Sequence, residues 1–313
     1  MKTKRILLCI TCCTLVLFLA EVSSTCADTL FVSNIGGNYI EEFNSLGMGA
    51  VYSSFQPGPE GLAFDGAGNP YVANEFSGNS PFNNTIEKFN SSGVGTVFAN
   101  ENSGVNWPVG LAFDQAGNLY TGNFYSNSIV RFNSSGVGTV FASSGLDGPE
   151  ALAFDKAGNL FVANYFSDTI EEFNSSGAET VFAGAGFGLA GPTGLAFDSQ
   201  GNLYVSNQAN NTIDKITPTG VESVFANSGL YRPCGLAFDS SGNLYVANAD
   251  NNTIVEFNSS GMDTVFASSG MNEPLFLAFQ PVPEPCGWML FGCGISTLLY
   301  FARRSAITRA PAT

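Results

Sequence analysis

Four short segments follow one another late in the chain: Gly235-Leu-Ala-Phe-Asp239, Gly242-Asn-Leu-Tyr-Val-Ala-Asn248, Thr253-Ile-Val-Glu-Phe-Asn258 and Thr264-Val-Phe-Ala267. Each reads as a β-strand, because β-branched and aromatic residues are bounded by Gly, Asn, Asp and Ser. The first segment recurs with its start at Gly61, Gly110, Ala151, Gly194, Gly235 and, as a remnant, Phe276. The spacings are 49, 41, 43, 41 and 41 residues. A four-strand unit repeated at this period predicts a β-propeller.

The two ends of the repeat region complete each other. Residues 30–34, 39–44 and 50–55 match the second, third and fourth strands of the unit, whereas the missing first strand appears at residues 276–280. We therefore expect the two ends to share one blade, which closes the ring and leaves no large sheet edge open. The predicted fold is all-β, with six blades of four antiparallel strands over residues 28–280.

Composition narrows the classes of function. Residues 28–280 contain five basic and 24 acidic residues, a formal charge of −19, which disfavours a nucleic-acid partner. The chain has no His, which excludes Ser-His-Asp catalysis and His-ligated zinc. Of seven Cys, only Cys234 lies in the repeat body. It has no partner for an intramolecular disulfide and no His to activate it as a nucleophile.

Residues 1–27 have the three-part layout of a secretory signal peptide. Lys2, Lys4 and Arg5 form the basic start, residues 6–20 the apolar stretch, and Thr25-Cys26-Ala27 a small-residue cleavage site. An uncleaved membrane anchor is the alternative interpretation. Either way, the segment predicts that the repeat body is exported.

Residues 281–313 combine three features in a fixed order. Pro283-Glu284-Pro285 precedes a mostly apolar stretch at 286–302, and Arg303-Arg304 follows it. The stretch predicts a transmembrane helix whose basic end stays in the cytoplasm. The order resembles the PEP-CTERM sorting signal of Gram-negative bacteria. This resemblance implies recognition by an exosortase-type membrane protease and export to the outer surface or extracellular matrix; a plain C-terminal anchor is the alternative.

Two sets of residues are expected at one end of the ring axis, which we call the top face. The residues that precede the first-strand segments are Glu60, Val109, Glu150, Thr193, Cys234 and Leu275. The residues that end the second strands are all asparagines: Asn34, Asn74, Asn123, Asn164, Asn207 and Asn248. Such a ring of oxygens fits Ca²⁺ or another divalent metal, with Glu60 and Glu150 supplying charge. The alternative is that each Asn caps its own loop by bonding to the backbone.

The longest connections are also expected on the top face. They hold residues 76–83, 100–107 and 184–192. Insertions concentrated on one face of a repeat protein often mark its binding face.

The repeat body resembles NHL-type propellers and the wider six-bladed group that includes the SMP-30/gluconolactonase family. Gly-Leu-Ala-Phe-Asp, Gly-Asn-Leu-Tyr-Val-Ala-Asn and Asn-Thr-Ile carry the resemblance. It implies, for lactonase-like members, a divalent ion held at the axis by Glu, Asn and Asp. Glu60, Glu150 and some of the asparagines match that set, but no Asp occupies either ring.

These observations leave two functions open. The first is an exported, surface-sorted, non-catalytic binding or structural module with a polysaccharide or protein ligand. The second is a divalent-metal-dependent, lactonase-like hydrolase with its site at the top of the axis. Lyase relatives that depend on His are excluded by composition.

Overall fold

Each repeat folds as four antiparallel strands that pair in chain order. A computed structural model describes residues 28–54, 57–75 and 84–281. The strands of the first three sheets, apart from the closing one, are β1 (Leu30–Asn34), β2 (Tyr39–Phe43), β3 (Gly49–Ser54), β4 (Pro59–Phe64), β5 (Pro70–Asn74), β6 (Thr85–Phe89), β7 (Gly95–Ala99), β8 (Pro108–Phe113), β9 (Leu119–Asn123), β10 (Ser128–Phe132) and β11 (Gly138–Ala142). The remaining strands are β12 (Pro149–Phe154), β13 (Leu160–Asn164), β14 (Thr169–Phe173), β15 (Glu179–Ala183), β16 (Pro192–Phe197), β17 (Leu203–Asn207), β18 (Thr212–Ile216), β19 (Glu222–Ala226), β20 (Pro233–Phe238), β21 (Leu244–Asn248), β22 (Thr253–Phe257), β23 (Asp263–Ala267) and β24 (Pro274–Phe279).

The described residues form six four-stranded sheets, so the predicted six-bladed propeller is confirmed. Blade 1 has the strand order β24-β1-β2-β3, and blades 2 to 6 contain β4–β7, β8–β11, β12–β15, β16–β19 and β20–β23. The predicted closure is confirmed in register: Leu30 pairs with Phe279 and Phe31 with Ala278. The Ser33 hydroxyl also accepts the Phe276 N–H at 3.0 Å.

The closing strand starts two residues earlier than expected, at Pro274. A proline begins the first strand of every blade. In all six blades it pairs with the Asn that ends the second strand, as Pro59 does with Asn74. Proline is tolerated there because the first residue of a strand need not donate to the ladder. The proline-to-Asn pair therefore marks the top end of each blade.

Aromatic rings pack the blades against one another. The second strand of each blade contributes a ring that meets one ring from its own fourth strand and one from the first strand of the next blade. In all six interfaces the centroid distances are 4.8 to 5.1 Å, with edge-to-face geometry. Edge-to-face pairs are the arrangement that ring quadrupoles favour. The second-strand rings are Phe31, Tyr71, Tyr120, Phe161, Tyr204 and Tyr245. The recurrent Phe of the sequence is thus core packing.

The opposite end of the ring, the bottom face, is built from turns that satisfy themselves. In blade 4, the Asp155 carboxylate accepts the Asn159 backbone N–H at 2.8 Å and the Asn159 side-chain amide at 3.0 Å. The same pair recurs as Asp65–Asn69, Asp114–Asn118, Asp198–Asn202 and Asp239–Asn243. Each Asp therefore holds its own turn, in the manner of an Asx-turn.

The ends of the chain lie outside this description. In the part of the chain that the structure describes, no helix is long and apolar enough to cross a membrane, and the helical content is one 3-10 turn, Glu101–Ser103. The predicted signal peptide, the inserted residues 76–83, Pro283-Glu284-Pro285, the helix at 286–302 and Arg303-Arg304 all fall outside the described residues.

Candidate functional site

The ring axis is nearly closed below the top face. Glycines near the start of the first strands let neighbouring strands approach closely: a Cβ on Gly61 would lie 2.1 Å from the Val109 carbonyl oxygen, and one on Gly194 would lie 2.2 Å from that of Cys234. In blade 1 the equivalent residue is Phe276. The first strands enclose a cavity of about 70 Å³, lined mainly by a leucine from each blade and by Phe276. A ligand larger than a water molecule or two therefore does not fit inside this axial cavity.

Acidic side chains surround the top of the axis. Burial, and then the charges of Glu150, Glu75 and Glu273, raise the pKa of Glu60 well above its usual value, and Arg232 opposes this shift. Burial, followed by the charge of Glu75, raises the pKa of Glu150 to about 8. We call Glu60, Glu75, Glu150 and Glu273, together with Arg232, the acidic mouth. The structure thus brings together the two glutamates predicted from the sequence, and adds three residues to them.

The asparagine ring caps loops. In five blades the side-chain oxygen accepts a backbone N–H of the loop that leads into the first strand, at 3.0 to 3.1 Å. The side-chain amides of Asn123, Asn164 and Asn248 also donate to a carbonyl of that loop at 2.9 Å. These bonds match the alternative interpretation, in which each Asn stabilises its own blade.

Asn74 departs from this pattern. Its side-chain oxygen is buried and has no hydrogen-bond partner among the described residues. In four blades the donor to the Asn oxygen lies 17 residues earlier in the chain, and the residue 17 positions before Asn74 is Pro57, which has no N–H. An unpaired buried carbonyl is costly and is rare in proteins.

The donors for a metal are accordingly few. Among the described residues, Glu60, Glu150 and Asn74 have oxygens that accept no backbone N–H, and one Glu60 carboxylate oxygen is buried without any partner. The described residues contain no cluster of three or more His, Cys, Asp or Glu side chains arranged to hold a metal ion. The metal site at Glu60, Glu150, Asn74, Asn123, Asn164, Asn207 and Asn248 therefore stays a prediction.

A second feature of the top face was not found from the sequence. Five aromatic rings, which we call the aromatic surface, join blades 3 and 4: Trp107, Phe124, Tyr125, Tyr165 and Phe166. Trp107 contacts Tyr125 with centroids 4.7 Å apart, and Phe124 contacts Phe166 at 5.1 Å. Tyr125 is 63% exposed and Phe166 is 57% exposed. Unlike the rings between blades, Tyr125 and Phe166 present more than half of their area to solvent, and the other three rings are half-buried.

The top face also contains backbone strain. One hydrogen bond joins each blade to the next. The acceptor is the Asn or Asp side chain just before the third strand, and the donor is the backbone N–H just before the first-strand proline of the next blade, at 2.6 to 3.0 Å. That N–H donor has positive φ in all six blades, and it is Gly in three of them. The other three have Trp107, Arg232 and Glu273 at φ of 50 to 53°. A side chain in this region costs about 1–2 kcal/mol, and such strain is concentrated at functional sites.

A sequence signal for these residues existed. The two residues after the second-strand Asn are Phe124-Tyr125 and Tyr165-Phe166 in blades 3 and 4, whereas the same positions hold Ile35-Gly36, Glu75-Phe76, Gln208-Ala209 and Ala249-Asp250 in the other four blades. Blades 3 and 4 differ from the others because both positions are aromatic, whereas each of the other blades has at most one aromatic residue there. Features common to all repeats cannot reveal these pairs, because the pairs occur in two blades only.

Comparisons with known proteins identify the fold. No protein-family model matches the chain, and no curated protein sequence matches it. Among solved structures, a chain of a nidogen/laminin complex matches with TM-score 0.70 and 18% identity, over 83% of this chain and 100% of that chain. Virginiamycin B lyase from Staphylococcus aureus matches with TM-score 0.62 and 17% identity, over 80% and 87%. A streptogramin B lyase matches with TM-score 0.63 and 15% identity, over 82% and 88%. At these identities the chain shares with its neighbours a six-bladed propeller fold, and the resemblance to the NHL and SMP-30 groups stays a prediction.

Proposed function

We propose that this protein is a non-catalytic binding module whose ligand docks on the top face. The observation that carries the proposal is the aromatic surface, in which Tyr125 and Phe166 expose more than half of their area. Contiguous exposed apolar area on a soluble domain commonly marks an interaction site. Aromatic side chains are also the residues most enriched among those that dominate binding energy.

The chemistry of the mouth favours binding over catalysis. Burial raises the pKa of the Cys234 thiol to about 12, so the nucleophilic thiolate is scarce at neutral pH. A variant of the Staphylococcus aureus lyase in which one His is replaced by Ala is catalytically inactive. Since the present chain contains no His, that chemistry is not open to it. The nidogen/laminin neighbour, in contrast, belongs to a complex of two proteins.

The ligand we propose is an extracellular polysaccharide or a protein. Export through the segment at 1–27 and sorting by an exosortase-type protease at Pro283-Glu284-Pro285 belong to the same proposal, and the sequence patterns alone support them. Fractionation of cells that express the full chain tests this part. Replacement of Pro283-Glu284-Pro285 by three alanines should move the protein from the cell surface to the membrane fraction. An unchanged distribution between the two fractions would show that Pro283-Glu284-Pro285 is not a sorting signal.

Docking can be measured with the full chain and two matched variants. Tyr125 and Phe166 are replaced together by Ala, and Val181→Ala serves as the control because Val181 is 64% exposed on the outer strand β15. We expect the double variant to lose retention on the extracellular polysaccharide and surface protein of the source cells, and the control to keep it. Equal retention of both variants would refute docking on the aromatic surface.

A second function is favoured by one observation, the convergence of Glu60 and Glu150 at the axis with an unpartnered oxygen on Glu60. In that case the protein is a divalent-metal-dependent, lactonase-like hydrolase. Calorimetry with Ca²⁺ and Zn²⁺, followed by a lactone-hydrolysis assay, separates the two functions. Metal binding that Glu150→Gln weakens, together with turnover, would replace the binding-module proposal.

A further inference from the structure

We propose that the ligand of the top face carries an organic cation, an ammonium or guanidinium group, next to its apolar part. This inference rests on the proposed docking function and names the chemistry of the ligand. Two neighbouring features carry it: the aromatic surface and the acidic mouth.

The repeat shows how closely the two features adjoin. The Gln208 side chain, which follows the second-strand Asn of blade 5, reaches the Cys234 sulfur of blade 6 at 3.6 Å. Phe124 holds the Gln208 position in blade 3, and Glu150 holds the Cys234 position in blade 4. The backbone positions of Phe124 and Glu150 are therefore neighbours across the interface between blades 3 and 4. The contacts of Gly148 agree, because a Cβ there would lie 3.2 Å from the Phe124 ring and 2.7 Å from the Phe166 ring, two residues before Glu150.

Charge is divided unevenly between the two faces. Within residues 28–54, 57–75 and 84–281 the basic residues are Lys88, Arg131, Lys156, Lys215 and Arg232. The first four belong to the bottom face. Lys88 and Lys215 pair with the turn residues Asp65 and Asp198, Lys156 lies within a bottom turn, and Arg131 bonds Tyr120 beside Asp114. Among the described residues, Arg232 is therefore the one basic side chain on the top face, where it lies among four glutamates.

Arg232 indicates what this face accepts. Its guanidinium lies 2.5 Å from a Glu273 carboxylate oxygen and 3.3 Å from one of Asp250. Glu60 is only 6% exposed and retains a carboxylate oxygen without a partner in the described residues. Carboxylates that outnumber cations, beside exposed aromatic faces, are the two elements that recognise ammonium and guanidinium groups.

The protonation of the mouth adds a testable signature. The groups that act on Glu60 and Glu150 are Glu75, Glu273, Arg232 and Cys234, and burial raises the pKa of Glu150 to about 8. A cation that binds beside these carboxyls favours their ionised form, so binding releases a proton. The affinity for the cation should therefore rise between pH 6 and 9. If binding releases one proton, the rise is at most about tenfold per pH unit.

Paired probes that differ only in charge provide the test. Calorimetry on the full chain compares choline with its neutral isostere 3,3-dimethylbutan-1-ol, and N-acetylarginine amide with N-acetylcitrulline amide. The first pair represents a free small cation and the second a polypeptide side chain. We expect at least one cation to bind about tenfold more tightly than its neutral partner, because cation–π and charge contacts are lost together. Phe166→Leu and Glu150→Gln should each weaken that probe, and Val181→Ala should not.

Three outcomes would overturn the inference. Equal affinity of the cationic and neutral probes, with both lost in Phe166→Leu, would leave the docking function standing and refute the cation. Cation binding that survives both Phe166→Leu and Glu150→Gln would place the cation elsewhere. Absence of binding for all four probes, alongside retention on source-cell material, would show that the top face reads another chemistry.

Discussion

The two faces of this propeller are built on opposite rules. On the bottom face the same Asp-x-x-Gly-Asn turn recurs in five blades with the same hydrogen bonds. On the top face the backbone repeats but the side chains do not: one position is Gly in three blades and Trp107, Arg232 or Glu273 in the others, at positive φ throughout. On the bottom face the residue types suit the backbone conformation, whereas on the top face three blades place a non-glycine residue at a backbone conformation that favours glycine.

The difference teaches how to divide a repeat protein into scaffold and site. A residue that recurs in every blade and bonds within its own blade, such as the second-strand Asn, is explained by folding alone. A side chain that occupies a strained position, or belongs to an exposed aromatic pair that the other blades lack, is not explained by folding. By this criterion the binding determinants that we propose are the aromatic surface and, within the acidic mouth, Arg232 and Glu273.

The largest expected effect comes from comparing Phe161, a packing ring found in every blade, with Phe166, an exposed ring of the aromatic surface. Phe161 is 4% exposed and contacts Phe182 and Phe197, with centroids 4.9 and 5.0 Å away. Phe161→Ala should lower the free energy of unfolding by about 3–5 kcal/mol, and Phe166→Ala by less than about 1 kcal/mol. Urea denaturation measures both. Equal losses would mean that the aromatic surface is core, and would break the comparison.

A pH series sharpens the electrostatic half of the comparison. Burial raises the pKa of Glu150 to about 8, and that of Glu60 is also raised. Between about pH 4.5 and 8 the folded chain therefore holds protons that the unfolded chain has released, and the free energy of unfolding should fall as pH rises. For Glu150 the fall is at most about 1.4 kcal/mol per pH unit within this window. Denaturation at pH 5 and pH 8 should show a smaller fall in Glu150→Gln; identical slopes would contradict the burial of this carboxyl.

The bottom turns should respond alike. Asp155→Ala removes acceptors for the Asn159 N–H and side-chain amide, and Asp198→Ala removes the same acceptors in blade 5. We expect each variant to lose about 1–2 kcal/mol of unfolding free energy and to keep ligand binding. A turn variant that abolished binding without unfolding would show that the bottom face has a function of its own.

The smallest expected effect tests the strained position directly. Gly191 has φ of 56°, and a Cβ there would lie 3.1 Å from the Tyr165 ring. Gly191→Ala should cost about 1–2 kcal/mol. Glu273→Gly relieves the strain at the equivalent position, but it adds the entropic cost of Gly and removes the ion pair with Arg232. Because these effects oppose each other, the free energy of unfolding should change by less than about 0.5 kcal/mol. A large loss in Glu273→Gly would show that Glu273 serves folding.

Most of the fold could be predicted from the sequence, because each blade repeats the same strand and turn residues at the same spacing. Six blades, the shared closing blade and the convergence of Glu60 and Glu150 all follow from counting repeats and alternating strand directions. The aromatic surface was not accessible in this way, because contacts such as Phe124 with Phe166 join blades 3 and 4 through loops that no repeat specifies. The strain at Trp107 was also hidden, since positive φ at a non-Gly residue is a property of the closed ring.

Hydroxyl-radical footprinting of the full chain, alone and bound to the surface material of its source cells, tests the central claim most directly. The account predicts protection of the aromatic side chains Trp107, Tyr125 and Phe166 on binding. It predicts no change at the outer-strand residue Val181 or at Phe154 and Phe238, the interblade rings next to the bottom turns. Protection confined to the rim or the bottom face, with Trp107 and Phe166 still fully reactive in the complex, would contradict it.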